Sequence, residues 1–191
     1  MSKILAVDTG YANVGLVVME WMVSYEPPPK PQTGWRIIEM ACIQTEKCDK
    51  RIALRKADDN ARRIAEATRG IVDMIKRHDI KRMVAELPHT GGQSATAVRA
   101  MAYAGAMVIA VAECFDLAAE WYTPDETRAA GGVPKGMKGE NAKKVVMQTM
   151  GAKYPELAEQ FPTLGRREHV ADALATFEAA RTGVLVRTAA I

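Results

Sequence analysis

Short apolar runs of strand length, bounded by turn residues, recur along the chain. The first, Lys3–Asp8, carries aliphatic and β-branched residues one after another, which is typical of a strand buried on both faces. The segment EPPPKPQTG cannot continue a ladder, because prolines lack an N–H donor, and it predicts a hairpin loop. Four further runs predict strands and end near glycine, proline or polar residues: Val14–Tyr25, Gly34–Thr45, Lys81–Leu87 and Leu117–Tyr122.

Apolar residues at helical spacing fill the stretches between and after these strands. From about Arg51 to His78 they recur in steps of three, four and seven, which predicts an amphipathic helix with arginines and lysines on its outer face. Thr123, followed by Pro124, predicts the N-terminal cap of a short helix. The further predicted helices are Gln93–Phe115, the segment PDETRAA, Glu140–Met150 and Glu168–Arg181.

The order of these elements predicts the class of fold. Three strands joined as a meander and then α/β crossovers predict an α/β fold with a mixed five-stranded sheet and helices on both faces. Neither a linker nor an internal repeat divides the chain, so a single domain over residues 1–191 is expected.

Composition narrows the class of protein only slightly. Hydrophobic residues make up 48% and charged residues 26% of the chain, as in an ordinary globular protein. The net charge of +3 is compatible with an anionic partner but too small to identify one. Three cysteines, Cys42, Cys48 and Cys114, lack the spacing of paired metal ligands, so reduced and buried thiols are expected.

No membrane association is expected from the apolar pattern. The most apolar stretch, Ala106–Phe115, contains Glu113 and is far shorter than the ~20 residues of a bilayer span. The start MSKILAVD lacks the apolar region of a signal peptide. A soluble, cytoplasmic protein with a core helix at this stretch is therefore expected.

Two acids stand at the ends of predicted buried strands. Asp8 closes the first strand and Glu86 closes the fourth, and glycine or proline follows each within a few residues. Ligand sites in α/β sheets gather at the carboxyl ends of strands. If the two strands are neighbours, the carboxylates converge and repel each other unless a hard divalent cation such as Mg²⁺ or Mn²⁺ lies between them.

A third acid lies near the end of the chain, in EHVADALATF. His169 and Asp172 are three residues apart, so a helix would present both on one face. Neighbouring alanines would let that helix approach the sheet closely. Each residue also has a plain structural interpretation: Asp8 as a turn former, Glu86 as an exposed acid and His169 as a surface residue. Their joint placement favours a metal site.

These motifs resemble the RuvC family of Holliday-junction resolvases, which have the RNase H-like fold. The resemblance lies in ILAVDTGYANVG, VAELP, QSATAVRAMAYAGA, WYTP and HVADALATF, in this order and over almost the whole chain. It implies an endonuclease of DNA recombination and repair that acts in a bacterial or phage-infected cell and cuts four-way or other branched DNA.

The resemblance also implies roles for single residues. Asp8 matches the first-strand acid that bridges two metal ions, Glu86 the fourth-strand acid and Asp172 the acid of the last helix. His169 stands where members carry Asp or His, and its nitrogen suits Mn²⁺ better than Mg²⁺. Two ions ~3.5–4 Å apart would activate the attacking water and stabilise the leaving oxygen.

DNA contacts are implied as well. Members hold the junction with basic residues that follow the WYTP stretch, where Arg128, Lys138 and Lys143 are the candidates here. Many members place an aromatic ring just after the fourth-strand acid, and in this chain His89 is the nearest ring.

Paired nicks imply two active sites related by a twofold axis, hence a homodimer. The predicted helix Gln93–Phe115 is the candidate interface, although an internal core helix fits its pattern equally well. Small residues would allow close helix approach and two methionines would fill gaps: Ala95, Ala97, Ala104, Gly105, Ala106, Met101 and Met107.

Two other functions fit parts of the sequence. AVDTGYANVG also resembles the phosphate loop of actin-like kinases, which would make the chain a nucleotide- or phosphate-handling enzyme. Such folds need two domains around a cleft, and 191 residues leave room for one. A catalytically inactive module that binds branched DNA is the other alternative.

Overall fold

A five-stranded mixed sheet forms the centre of the fold. The computed structural model describes residues 2–10, 12–24, 32–49, 51, 54–88 and 94–190. In the order β3-β2-β1-β4-β5, β1 to β3 form an antiparallel meander, while β4 runs parallel to β1 and β5 parallel to β4. The predicted mixed five-stranded sheet is thus confirmed. The strands are β1 (Lys3–Asp8), β2 (Asn13–Ser24), β3 (Gln32–Gln44), β4 (Arg82–Glu86) and β5 (Ala118–Tyr122).

Seven helices occur in the described part of the chain. The prediction missed α5 and α7, because five or six residues are too few to show a helical period. It also began α1 too early, at Arg51, and α6 too late, at Glu168. The helices are α1 (Lys56–His78), α2 (Ala95–Cys114), α3 (Pro124–Ala130), α4 (Gly139–Lys153), α5 (Glu156–Gln160), α6 (Leu164–Ala180) and α7 (Val184–Ala189).

The sheet separates two apolar cores, as the alternation of side chains along β1 shows. Ile4 and Ala6 join the core under α4 to α7, whereas Leu5 and Val7 join the core under α1 and α2. Because successive strand residues point to opposite faces, a strand buried on both sides must be apolar at every position. Helices cover both faces, as predicted, and the prediction of a single domain stays a prediction.

Two sequence predictions about exposed segments need correction. The hairpin loop was expected to include Gln32 and Thr33, before the strand predicted from Gly34, but these two residues already pair with β2. Each of them keeps the N–H donor that proline lacks, so the ladder can continue through them. Residues 25–31, which include the prolines, lie outside the described residues.

The outer face of α1 also differs from the prediction. Leu54, the first apolar residue of the predicted helix Arg51–His78, lies before α1 and is exposed, and Arg63 is 5% exposed although the arginines were expected on the outer face. The guanidinium of Arg63 donates to Thr45 Oγ1 at 3.0 Å and to the Thr45 carbonyl at 3.1 Å. Hydrogen bonds to fixed acceptors allow an arginine to be buried.

The helix α2 is long and apolar enough to span a membrane by length and composition, with a mean hydropathy of 1.6. One such helix is weak evidence for a span, and several of its side chains pack in the core with α1. The core-helix prediction for Ala106–Phe115 fits this packing. The cysteines are free, as expected, but Cys114 is exposed and Cys42 and Cys48 are only half-buried.

Candidate metal centre

The register of β1 and β4 brings the two strand-end acids to one edge of the sheet. The strands are parallel neighbours, with Val7 opposite Ala85, so Asp8 and Glu86 leave the sheet at the same level. Ala6 and Val84 belong to the core under α6. Since side chains alternate, the acids two residues further on face the same side. The expected convergence of the first and fourth strands is therefore observed.

The helix α6 completes a three-residue cluster at this edge. His169 Nδ1 lies 2.8 Å from Asp8 Oδ2, and both side chains are largely buried. One ligand atom each from Asp8, His169 and Asp172 lie within 4.8 Å of one another. Among the described residues, these three form a group that could hold a metal ion.

A glycine on β2 sets how closely α6 approaches. Gly15 pairs with Asp8 across β1 and β2, and a Cβ at Gly15 would lie 1.9 Å from the His169 carbonyl oxygen. The backbone of α6 therefore rests directly on the strand beside Asp8. A glycine within a strand pattern is a known signal of close backbone approach, and sequence reasoning did not use it here.

Glu86 lies beside this cluster rather than within it. It lines a cavity of about 120 Å³ together with Asp172, Thr127, Arg128 and Lys143. The pKa of Glu86 is raised to about 7, mainly by burial and then by the charge of Asp8, against the hydrogen bond with Thr127 and the charge of Arg128. Three of the four predicted ligands thus meet at one point, and the fourth faces a cavity it shares with Asp172.

The cap of α3 positions the wall of this cavity. Thr123 Oγ1 accepts a hydrogen bond from the Glu126 N–H at 3.3 Å, and Glu126 Oε2 accepts from the Thr123 N–H at 2.8 Å. This capping box, which includes the predicted cap Thr123, starts the helix directly after β5. The helix then carries Thr127 and Arg128, which line the cavity with Glu86.

Burial and neighbouring acids together shift the pKa values of Asp172 and His169. Burial raises the pKa of Asp172 well above its usual value, and the charges of Asp8 and Glu86 raise it further, while Lys143 lowers it. Burial lowers the pKa of His169, but its hydrogen bond to Asp8 and the charge of Asp8 outweigh that effect, and the net shift is upward. A cation in this cluster would relieve both effects.

The donor set fits a divalent cation. Asp8 and Asp172 offer hard carboxylate oxygens and His169 an imidazole nitrogen, a combination that Mn²⁺ and Mg²⁺ accept. Next to Asp8, the hydroxyl of Thr9 is buried and has no hydrogen-bond partner among the described residues. A buried hydroxyl without a partner is unusual, and this one follows directly after a ligand of the cluster.

The predicted DNA-contacting residues lie around the same end of the molecule. Lys143 Nζ pairs with Glu168 Oε1 at 2.6 Å, and Arg128 Nη1 lies 3.4 Å from Asp125 Oδ1. Arg128 and Lys138 line a second cavity of about 520 Å³ next to α3. His89 lies outside the described residues.

Sequence reasoning missed Arg166 and Cys42. Cys42 pairs with Gly15 across β2 and β3 and so stands in the same row as Asp8. The pKa of Cys42 is raised to about 11. Burial is the main cause, the charge of Arg166 opposes it, and the charge of Asp8 adds to it. Arg166 Nε donates to Gln44 Oε1 at 2.7 Å. The spacing of three between Arg166 and His169 was the available signal, since it places both on one face of α6.

Comparison with solved structures identifies the class of fold. A structure of T. thermophilus RuvC in complex with a Holliday junction substrate matches with 18% identity over 95% of this chain and 96% of that one, at a TM-score of 0.59. A second Thermus thermophilus RuvC structure matches with 16% identity over 93% and 92%, also at 0.59. No protein-family model and no curated protein matches the sequence.

The chain is thus an α/β protein with the RNase H-like fold. More specifically, its fold is that of RuvC over nearly the full length of both chains. The fold expected from the sequence motifs is confirmed.

Proposed function

We propose that this protein is a divalent-metal-dependent endonuclease that resolves four-way DNA junctions by paired nicks. The observation that carries the proposal is the meeting of Asp8, His169 and Asp172 at the carboxyl end of β1, with Glu86 alongside. The similarity in fold to RuvC supports it, and one of the RuvC structures holds a Holliday junction substrate.

In this proposal each residue of the site has a distinct role. Asp8 would be the ligand shared by the expected pair of ions, with Asp172 and His169 beside it at one ion and Glu86, which lines a cavity with Asp172, at the other. Bound ions of this kind activate a water molecule and neutralise charge on the phosphate. The contact between Asp8 and His169 keeps the carboxylate oriented, and the close approach at Gly15 keeps α6 in place.

The basic residues around the site suit the phosphates of the substrate. Arg128 and Lys143 border the cavity that holds Glu86, and Lys138 lies on the far side of Arg128. Phosphate contacts position DNA without reading its sequence, so we expect selection of junction shape rather than base identity. The logarithm of the binding affinity should fall linearly with the logarithm of the salt concentration, with a slope of about 0.9 for each phosphate contacted.

We further propose that α2 forms the interface of a homodimer, with a revised set of residues. Ala104, Gly105 and Met107 are buried within the chain and cannot contact a partner. The exposed face of the later turns instead carries small and apolar residues: Ala102, Ala106, Ile109 and Ala110. A solution mass of two chains for the wild type, and of one chain for Ala106→Glu/Ile109→Glu, would support this interface. A monomeric wild type at micromolar concentration would refute it.

The direct test of the proposed function uses labelled DNA. A four-way junction, other branched DNAs and a plain duplex are incubated with the protein and Mg²⁺ or Mn²⁺, and the products are resolved on a gel. The proposal expects metal-dependent, symmetric cuts in the junction, lost in Asp172→Asn and in chelator. Binding without cutting would favour the inactive module, and a nucleotide-dependent thermal shift without cutting would favour the kinase-like alternative.

A further inference from the structure

A second basic site lies on the opposite side of the sheet from the candidate metal centre. A cavity of about 310 Å³ opens between the start of α1, the first turns of α2 and the segment after β3. Four basic side chains and one acid line it: Lys47, Lys56, Arg63, Arg99 and Asp59. None of the four belongs to the residues so far assigned to the reaction or to DNA.

The acid of this cavity forms no ion pair with its two lysines or with Arg99. Asp59 Oδ1 accepts from Arg62 Nη2 at 2.8 Å and from the Cys48 N–H at 3.1 Å, and so it is engaged outside the cavity. Lys47, Lys56 and Arg99 make no ion pair with any acid in the described ranges. Elsewhere on α1, Arg62 pairs with Asp59 and Glu66, and Arg77 pairs with Glu39.

Arg63 gives the cavity a rigid wall. It is 5% exposed, and two of its guanidinium nitrogens bond to Thr45. A guanidinium fixed in this way is preorganised, and little conformational entropy is lost when an anion is bound nearby. Three exposed cations, Lys47, Lys56 and Arg99, around this fixed guanidinium are suited to the oxygens of a phosphate group.

The cavity opens at the same edge of the sheet as Asp8. Asp8, Gly15 and Cys42 form one row across β1, β2 and β3, and Thr45 lies three residues beyond that row. The Thr45 N–H still bonds to the Ala12 carbonyl at 2.8 Å. From strand spacing and rise, Asp8 and Thr45 are roughly 14 Å apart, about four base-pair steps of a DNA strand.

We propose that this cavity binds a backbone phosphate of the DNA that crosses this edge of the sheet on its way to the metal centre. The inference rests on the proposed function, because it takes the substrate of that site to be DNA. The cavity would thus contact DNA on the α1 and α2 side of the sheet, in addition to the contacts proposed for Arg128, Lys138 and Lys143 on the α6 side. A strand held at both ends of the edge is fixed in direction as well as position.

The experiment compares two variants with the same loss of charge. Lys47→Gln/Lys56→Gln/Arg99→Gln removes the three unpaired cations of the cavity. Arg69→Gln/Lys81→Gln/Arg187→Gln removes three exposed cations elsewhere and serves as the matched control. Arg63 is left unchanged because it supports Thr45, and thermal melts of both variants establish that they fold.

Junction affinity is measured by fluorescence anisotropy with Ca²⁺ in place of the catalytic ion, over a series of salt concentrations. We expect the cavity variant to bind the junction about tenfold or more weakly than wild type. The slope of log affinity against log salt should fall by at least about 0.9, the value for one phosphate. The control variant should show a much smaller change in junction affinity and in salt slope, and it should cut the junction as the wild type does.

The outcomes separate this inference from the proposed function. A wild type that neither binds nor cuts the junction overturns the proposed function and the inference with it. A wild type that binds and cuts, with equal salt slopes in the two variants, overturns the inference alone. A thermal shift with inorganic phosphate that the cavity variant loses, without any change in DNA binding, would assign the cavity to a small anion and also overturn it.

Discussion

Two buried acids on α6 have opposite surroundings. Glu178, whose side chain is 10% exposed, accepts hydrogen bonds from Lys153 and Tyr154, and Arg181 Nη1 lies 3.4 Å from it. Asp172, less than two turns earlier on the same helix, lies among Asp8, Glu86 and Glu168, with Lys143 as a nearby cation. One acid is surrounded by donors and the other by further acids.

The difference shows how to separate a structural acid from a functional one. An acid supplied with donors by its own chain is satisfied and contributes to folding. An acid grouped with other acids in a buried place costs stability unless something from outside neutralises it. Burial alone does not distinguish Asp172 from Glu178, whereas the charge of their neighbours does.

The largest effect is expected at Asp8, the acid at the end of β1 that meets His169 and Asp172 of α6. Asp8→Asn keeps the shape of the side chain but removes the charge that would hold an ion. Cleavage of a four-way junction should fall by at least ~10²-fold, about 2.7 kcal/mol of barrier. The rate is measured under single-turnover conditions with Mn²⁺ and with Mg²⁺. Glu178→Gln is the matched control and should cut normally, whereas metal-dependent cutting that survives Asp8→Asn would defeat the assignment.

The second-largest effect is expected from Glu178, and it concerns stability rather than activity. Glu178→Ala leaves the partly buried hydroxyl of Tyr154 without its acceptor and removes the partner of Lys153. The free energy of unfolding, measured by urea titration, should fall by about 1.5–3 kcal/mol. Asp172→Asn in metal-free protein should leave stability unchanged or raise it. If Asp172→Asn lowered the free energy of unfolding more than Glu178→Ala does, the comparison between the two acids would be wrong.

A smaller effect is expected from the contact that sets α6 against the sheet. In Gly15→Ala the new methyl group would meet the His169 carbonyl, so α6 must move. We expect a loss of about 1–3 kcal/mol in unfolding free energy, with weaker metal binding measured by calorimetry. Gly151→Ala is the control: it lies in α4 with nothing within 4 Å of a Cβ and should be neutral or stabilising. Equal stability of the two variants would show that α6 does not depend on Gly15.

The smallest effect concerns pH and metal together. Burial and neighbouring acids raise the pKa values of Asp172 and Glu86, the latter to about 7. The metal-free folded protein therefore keeps protons that the unfolded chain releases near pH ~4. Its stability should therefore fall as pH rises between these values. A bound divalent ion removes that penalty, and the gain in melting temperature with Mn²⁺ should be larger at about pH 8 than at about pH 5.5. Thermal melts with and without the ion measure this, and equal gains would contradict it.

Much of the sheet and part of the site could be predicted from local pattern. A strand buried on both faces must be apolar throughout, so an acid at its end, such as Asp8 or Glu86, stands out against the run before it. The i, i+3 spacing of His169 and Asp172 fixed a shared helix face in the same way. The short helices α5 and α7 gave no period to detect, and Arg63 looked like one more surface arginine until its contact with Thr45 was known.

By itself, the sequence determined the strands, the longer helices and the positions of the acids, because these depend on residues only a few places apart. Tertiary structure alone decided that His169 meets Asp8 across 161 residues, that Glu86 stands beside the cluster, and that a basic cavity opens over α1. Distances of a few ångströms between remote side chains depend on strand register and on how closely backbones pack. A Cβ at Gly15 would lie only 1.9 Å from the His169 carbonyl oxygen, so the packing of α6 on the sheet has no room for even one added carbon atom.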